Sequence, residues 1–372
     1  MIHFAIGTKA QFIKMAPIMY LLQEEGESYH LLDLSQHASL TGKILNDFGL
    51  TPIVTTLTKS KASVTTYLQA VTWLAKGLWQ LTAHRRNLHK RLFNGQNGVA
   101  LLHGDTMSTL VGLYLARAAG IKTALIEAGL SSGKLFDPFP EEWIRRHTGR
   151  MVDFLFPPDE ISEAWLREKH FDHQIINTGY NTGRDSLNLI AVKHAIFSEK
   201  PRNDFSYGIA TLHRLETLSS KRRLVRATRH MMNIAAQLGI TRFYLHPPTE
   251  HALKKYRLME AIQSSNVIEL YPLKPYPDFV RSMMEAKFVL TDGGSIQEEA
   301  SYLEKPCLIL RNRTERNHGI GKNAMLATWD VKQDVTHLIK KISETREQSA
   351  GNRDMQASRT ILKAIDEFRS RS

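Results

Sequence analysis

The sequence predicts an α/β protein made of two doubly wound domains that face one another across a cleft. Three observations carry this expectation. Short apolar runs alternate with longer amphipathic stretches, as parallel strands joined by helices require. The alternation restarts in the second half of the chain, after residues 177–183, Asn-Thr-Gly-Tyr-Asn-Thr-Gly, which read as a joint. Polar and glycine-bearing segments follow the apolar runs, where open parallel sheets bind their ligands.

In the first half, Ile2-His3-Phe4-Ala5-Ile6 ends at Gly7 and leads into a helix over residues 12–25. A strand at 31–34 runs toward Gln36-His37, which packing or capping explains as well as ligand contact does. Val99-Ala100-Leu101-Leu102 ends at His103-Gly104-Asp105 and opens a helix over 106–119. Thr123-Ala124-Leu125-Ile126 ends at Glu127-Ala128-Gly129, and Phe154-Leu155-Phe156 and Ile175-Ile176 follow. In the second half, Tyr207-Gly208-Ile209-Ala210 ends at Thr211-Leu212-His213-Arg214, and a helix covers 221–238. Phe243-Tyr244-Leu245 ends at His246, Phe288-Val289-Leu290 at Thr291-Asp292-Gly293-Gly294-Ser295, and the run from Cys307 to Leu310 at Arg311.

Composition narrows the function. With 42% hydrophobic and 23% charged residues in 372, the chain can bury a full core, which excludes disorder and a disulfide scaffold. Cys307, the single cysteine, lies in an apolar run and reads as a small buried hydrophobe. No apolar run approaches the ~18–20 residues of a membrane span. The segment 1–12 lacks the pattern of a cleaved signal peptide, so a cytoplasmic location is expected. Net charge is +12, and residues 51–104 hold no acid and seven cations. Such a surface suits phosphate-rich partners: nucleotide sugars, anionic headgroups or nucleic acid. Nucleic acid is the weakest of these, because no recognition motif or stacking platform accompanies the charge. The histidines show no metal-ligand spacing, so no metal is expected.

Asp105, Glu127 and Glu141 are the candidates for proton transfer. Asp105 could cap its helix, and Glu141 and Glu142 suit a helix start; Glu127 has no such excuse. Three carboxylates converging on one cleft can divide acid and base duties. In the second half, the Asp292–Ser295 turn opens a helix whose free N–H groups favour an anion. His213, Arg214, Arg311, Arg313 and Arg316 supply cations for a nucleotide diphosphate. Lys9 and Lys14, after the first strand, are placed to reach the cleft. Their loop has neither a dinucleotide nor a P-loop fingerprint.

Together these motifs resemble the UDP-N-acetylglucosamine 2-epimerase family, nearest its non-hydrolysing bacterial branch. The likeness runs over 2–316 through Gly7-Thr8-Lys9, Ile13-Lys14-Met15-Ala16-Pro17, Gln36-His37, His103-Gly104-Asp105-Thr106 and Glu127-Ala128-Gly129-Leu130. It continues in Pro138-Phe139-Pro140-Glu141-Glu142, His213-Arg214, Gln297-Glu298-Glu299-Ala300 and Thr314-Glu315-Arg316. The resemblance implies a GT-B-like pair of Rossmann-like domains, 1–178 and 179–353, with a C-terminal helix in 354–372 packing back on the first. It implies removal of the C2 proton, anti elimination of UDP and re-addition with C2 inverted, with no cofactor. Asp105, Glu127, Glu141 and His213 form the implied catalytic set. Lys9, Lys14, Arg214, His246, Gly294, Ser295, Glu299 and Arg316 form the implied nucleotide-sugar set. A homodimer and a role in surface polysaccharide synthesis are implied as well.

Departures accompany the likeness. Gly-Thr-Lys-Ala-Gln stands where the family has Gly-Thr-Arg-Pro-Glu, so Lys9 lacks a bidentate fork. Leu215 follows His213-Arg214 in place of a second arginine, and the serine of the glycine turn has moved to Ser295. Ala38 and Ser39 follow Gln36-His37, which argues against activation by substrate. Leu74, Leu78, Leu81, Leu88 and Leu92 form a helical stripe over 72–93 beside Trp73 and Trp79, with Arg85, Arg86, Lys90 and Arg91 crowding its end. A core-facing helix is the preferred reading. The sharper one is a helix lying on an anionic inner-membrane surface, which would suit a GT-B glycosyltransferase with a membrane- or glycan-linked acceptor. The carboxylate trio favours the epimerase.

Overall fold

The computed structural model of the chain describes residues 1–34, 38–57, 87–131, 133, 140–196, 207–314, 316–345 and 354–371. Gln36-His37, residues 72–86 of the basic stripe with Arg85 and Arg86, Pro138-Phe139 and Glu315 lie outside the described residues. The chain divides into two compact units, Met1–Ile190 with Arg353–Ser372, and Ala191–Asn352.

The first unit runs β1 (Ile2–Ile6), α1 (Lys9–Glu24), β2 (Tyr29–Asp33), α2 (Ala38–Phe48), β3 (Ile53–Thr56), α3 (Leu88–Leu92) and β4 (Val99–His103). It continues with α4 (Met107–Ala118), β5 (Lys122–Ile126), α5 (Glu141–Gly149), β6 (Phe154–Phe156), α6 (Glu160–Glu168), β7 (Gln174–Ile175) and α7 (Thr182–Lys193), whose end from Ala191 on belongs to the second unit. The described strands form one parallel sheet in the order β3-β2-β1-β4-β5-β6-β7. Strand order reverses between β1 and β4, so the loops after these two strands flank the point where doubly wound sheets bind ligands. β1, β2 and β4 are buried along their whole length. Helices on both faces require this, and it explains why these strands read as continuous apolar runs.

The second unit runs β8 (Gly208–Thr211), α8 (Leu215–Leu218), α9 (Lys221–Leu238), β9 (Thr241–Leu245), α10 (Pro247–Lys255), α11 (Met259–Gln263) and β10 (Ile268–Pro272). Then come α12 (Tyr276–Glu285), β11 (Val289–Thr291), α13 (Gly294–Tyr302), β12 (Cys307–Ile309), β13 (Ala324–Leu326) and α14 (Val331–Glu344). Its parallel sheet has the order β10-β9-β8-β11-β12-β13, which reverses between β8 and β11. Cys307 is a buried free thiol, and burial pushes it up to about 12.

The last helix, α15 (Gln356–Arg371), belongs to the first unit. The backbone N–H and hydroxyl of Ser358 both donate to the buried Asp185 carboxylate at 2.7 Å, and Phe368 meets Phe154 edge-on at 4.9 Å. Leu88 and Leu92, the last leucines of the expected stripe, are buried in a core cluster with Phe93, while Lys90 and Arg91 are exposed. α1 tolerates Pro17 in its interior. Proline has no N–H for the carbonyl four residues back, and that carbonyl, on Ile13, accepts instead from Ser186 Oγ at 2.5 Å.

Candidate active site

At the first unit's strand-order reversal, Thr8 caps α1 and forms a capping box with Gln11. Gln11 is buried, and its side chain joins the two loops of the reversal. Its Oε1 accepts from the backbone N–H of Gly7 at 2.9 Å and from Ser108 Oγ at 2.9 Å. Its Nε2 donates to His103 O at 2.7 Å and Thr106 Oγ1 at 2.9 Å. Gly7 is a requirement of this junction, because a Cβ there would lie 2.3 Å from Ser108 Cβ.

β4 ends at His103 and Gly104-Asp105 follow it, while Glu127 follows β5, its neighbour, with His103 opposite Ile126 in the register. Thr106 occupies the α4 N-cap, which removes capping as the role of Asp105. Asp105 is instead ion-paired to Arg145. Arg145 also donates to Glu142 at 3.1 Å, and Glu142, fully buried, accepts from Arg146 at 3.0 Å and from Ser131 Oγ. Glu127 is buried and adopts φ of 62°, a left-handed conformation that costs a non-glycine residue free energy and marks functional sites. Lys14 Nζ and Asn181 Nδ2 both donate to its Oε2, and His103 Nε2 lies 3.8 Å away. An ammonium and an amide thus both point at this one carboxylate oxygen. Glu141 opens α5, one turn before Arg145, and its buried Oε2 has no hydrogen-bond partner among the described residues. A buried carboxylate oxygen without a partner demands an explanation, and reactivity is one. Lys9, the first residue of α1, is partly buried at the same sheet end.

In the second unit the reversal between β8 and β11 is organised by Asp292, which is fully buried. Its carboxylate accepts the backbone N–H of His213 at 2.9 Å and of Arg214 at 3.2 Å. The His213 ring stacks on His246 with centroids 5.0 Å apart. Burial lowers the His213 imidazole below its ordinary value; Arg214 and Arg311 add to this and Asp292 opposes it. The neutral ring is therefore favoured near pH 7. Gly293 is required here, since a Cβ would lie 2.1 Å from the His213 ring. At Gly294 a Cβ would lie 3.0 Å from Arg316 and 3.1 Å from Arg214, so this backbone sits against two guanidinium groups. Gly293 caps α13 with no side chain, and Ser295 is the second residue of that helix. Arg316 is held by Glu298 at 2.7 Å. Gln297 fixes the loop behind it, donating to Arg316 O and His318 O at 2.9 Å each. Glu299 is partly buried on α13 near Tyr276, whose phenol is raised by burial and by that carboxylate. A nucleoside diphosphate would find here two arginines, an uncapped helix start and a neutral imidazole.

The sequence reading gave no role to four side chains that position this chemistry: Arg145 and Asn181, and Asp292 and Glu298, which stand within motifs it quoted. Arg145 stands one turn after Glu141, a spacing that could have exposed it. Asn181 lies in the segment read as a joint.

The sequence model of the UDP-N-acetylglucosamine 2-epimerase family matches residues 80–366. The chain belongs to this family. The UDP-N-acetylglucosamine 2-epimerase of Methanocaldococcus jannaschii is 29% identical over 348 residues, 90% of each chain. That of Escherichia coli K12 is 29% identical over 388 residues, 96% of each. A crystal structure of the M. jannaschii enzyme in complex with UDP-GlcNAc and UDP matches with a TM-score of 0.80 at 26% identity, covering 98% of this chain and 99% of the other. The GT-B-like fold expected from the sequence is thus shared with solved family members. Among the described residues no helix is long and apolar enough to cross a membrane, and no group of His, Cys, Asp or Glu could hold a metal.

Proposed function

We propose that the protein inverts C2 of a UDP-N-acetylhexosamine, converting UDP-GlcNAc to UDP-ManNAc. Family membership supports the reaction class. The observation that carries the chemistry is the unequal setting of three carboxylates at one sheet end: Glu127 against Lys14, Asp105 against Arg145, and Glu141 with a buried oxygen lacking a partner among the described residues. Inversion at C2 needs one group to take a proton from one face and another to return it to the other face. Carboxyl groups in different environments divide those duties.

In the forward half, a carboxylate accepts the C2 proton while the C1–O bond breaks. The electron pair forms the C1=C2 bond of a 2-acetamidoglucal, and UDP leaves with the bonding pair. In the return half, a carboxylic acid protonates the opposite face of C2, and a UDP oxygen reforms the bond to C1. Asp105, Glu127 and Glu141 take the proton work, with Lys9 and Lys14 adding positive charge. His213, Arg214, His246, Gly294, Ser295, Glu299 and Arg316 hold the UDP. There, donors already in place stabilise the charge developing on the leaving diphosphate. The same proposal includes a cytoplasmic homodimer, which sedimentation equilibrium would test. Association with anionic membranes through Arg85, Arg86, Lys90 and Arg91 belongs to the glycosyltransferase alternative, and substitution of the four by Gln would abolish it in liposome flotation.

The test is incubation with UDP-GlcNAc in D₂O, following C2 by NMR. Deuterium at C2 with appearance of the manno epimer, in the absence of any acceptor, is the expected result. An inert C2, with UDP released only on adding an acceptor, would replace epimerisation by glycosyl transfer.

A further inference from the structure

An open cavity rimmed by cations lies in the second unit, on elements that supply none of the residues above. Its volume is about 700 Å³, within the range of small-ligand sites, and it is lined by α9 and the start of α14. Lys221, Arg222, Arg226 and Arg229 line it together with His230 and Trp329. Arg222, Arg226 and Arg229 follow the i, i+4, i+7 spacing of one helix face. All four cations are exposed, and among the described residues none has a carboxylate partner.

Two features set this apart from an ordinary solvated basic face. The cations begin at the first residue of α9, whose first turn carries no acid. A helix start is already positive, so cations there are mutually and dipolarly unfavourable until an anion joins them. The second feature is Trp329. It adopts φ of 69°, a conformation costly for a bulky residue. Its backbone N–H donates to Asp334 and its indole N–H to Asn312 at 2.8 Å. Asp334 is fully buried and hydrogen-bonds His230 at 2.7 Å, so it is already partnered beneath the cavity. The indole lies under Arg226, whose guanidinium carbon is 4.0 Å from the ring centroid. Stacking of this kind orients a guanidinium and leaves its N–H edge free for an oxyanion.

We propose that this cavity is a binding site for a polyphosphate group, separate from the residues that hold the UDP-sugar. Four cations match a ligand carrying three or four negative charges, and arginine forks suit phosphate oxygens. The group belongs either to a free polyphosphate compound or to a phosphorylated lipid headgroup.

The test uses inorganic tripolyphosphate, titrated calorimetrically in the presence of saturating UDP, and vesicles of phosphatidylcholine with and without phosphatidic acid. Expected is saturable binding of tripolyphosphate, weakened on the order of tenfold by Arg226→Gln and again by Arg229→Gln. Trp329 fluorescence should change on binding, and Trp329→Phe should lose that signal. Both arginines are exposed, so unchanged melting temperatures will establish that the variants fold. Binding only to phosphatidic-acid vesicles, lost in the same variants, assigns the group to a lipid headgroup. Binding that survives both arginine substitutions, or no binding to either probe, overturns the proposal.

Discussion

Replacing Arg145 by methionine removes the guanidinium that holds both Asp105 and Glu142 while keeping much of the apolar stem. Glu142 is fully buried but keeps Arg146 at 3.0 Å and Ser131 Oγ after the change. It therefore loses one charge-assisted bond, about 1.5–3 kcal/mol, and not the 3–5 kcal/mol or so of a buried charge stripped of its only partner. Asp105 is 22% exposed and rehydrates, adding about 0–1 kcal/mol. The sum, about 1.5–4 kcal/mol, corresponds to a melting temperature lowered by roughly 3–16 °C for a unit of this size. Catalysis should suffer more. Freed from Arg145, the Asp105 carboxylate samples several rotamers, and kcat should fall on the order of 10–10²-fold with KM little changed. Arg145→Lys keeps the charge without the fork, so it should recover stability more than rate. In an Asp105→Asn background, Arg145→Met should lower kcat little further, since the carboxylate it orients is gone. Differential scanning calorimetry and an epimerisation assay by NMR measure both quantities. A melting temperature within about 1 °C of the parent, with kcat within twofold, would refute the reasoning.

Further outcomes follow from the same contacts. Asp105→Asn, Glu127→Gln and Glu141→Gln should each lower turnover by on the order of 10²–10⁴ while melting cooperatively; near-full activity in one of them would remove that residue from the proton work. Gly293→Ala must displace the His213 ring and should raise KM for the UDP-sugar, with a melting curve close to the parent's. His3 and His30 are buried neighbours on β1 and β2, their Nδ1 atoms 3.1 Å apart, and burial lowers them to about 3 and about 4. Their folded pKa values lie below the unfolded 6.5, so the stability they contribute is complete above pH 6.5 and is lost as pH falls toward 4; His30→Gln should flatten that slope in calorimetry. Asp185 shows the opposite sign: burial raises it to about 6, so its contribution is complete below pH 4 and is lost as pH rises through 6. Asp185→Asn should therefore raise the melting temperature at pH 8 and leave it unchanged at pH 4.

Much of the fold could be read from the sequence, and the failures share one cause. Central strands such as β1, β4 and β8 are buried on both faces and appear as unbroken apolar runs. The strands that went unread, β3, β10 and β13, all lie at sheet edges. Ile53 and Val54 of β3 are about half exposed, and β10 carries Glu269 and ends on Pro272. An edge strand needs only one covered face, so its residue pattern blends with the loops around it. The site divides along a similar line. Glu127 announced itself by interrupting an apolar run, whereas Arg145 and Asn181 sit among polar residues and are distinguished only by what they touch. That Glu142 is the fully buried member of the Glu141-Glu142 pair is a consequence of Ser131 and two arginines closing over it, which spacing alone does not reveal.

The two units solve one mechanical problem in the same way. At each strand-order reversal, two loops leave adjacent parallel strands with their backbone polar groups unpaired, and a ligand site needs those loops held rigidly. In the first unit Gln11 spans them, accepting from Gly7 N–H and donating to His103 O. In the second unit Asp292 spans them, accepting from His213 and Arg214 N–H. The choice of side chain follows from the groups presented. A loop offering one donor and one acceptor needs an amide, while two donors need a carboxylate. In this chain an ionised glutamate at position 11, the residue the family usually has there, could not make the bond that Gln11 donates to His103 O, and asparagine at 292 would set an N–H₂ group against one of two N–H donors. Gln11→Glu and Asp292→Asn are thus nearly isosteric changes that leave every strand and the hydrophobic core untouched. Each should loosen the loops of one unit alone, which hydrogen exchange of residues 7–8 and 103–109, or of 213–214 and 293–297, would localise. Faster exchange spread evenly over both units would show that the bridges serve general stability instead.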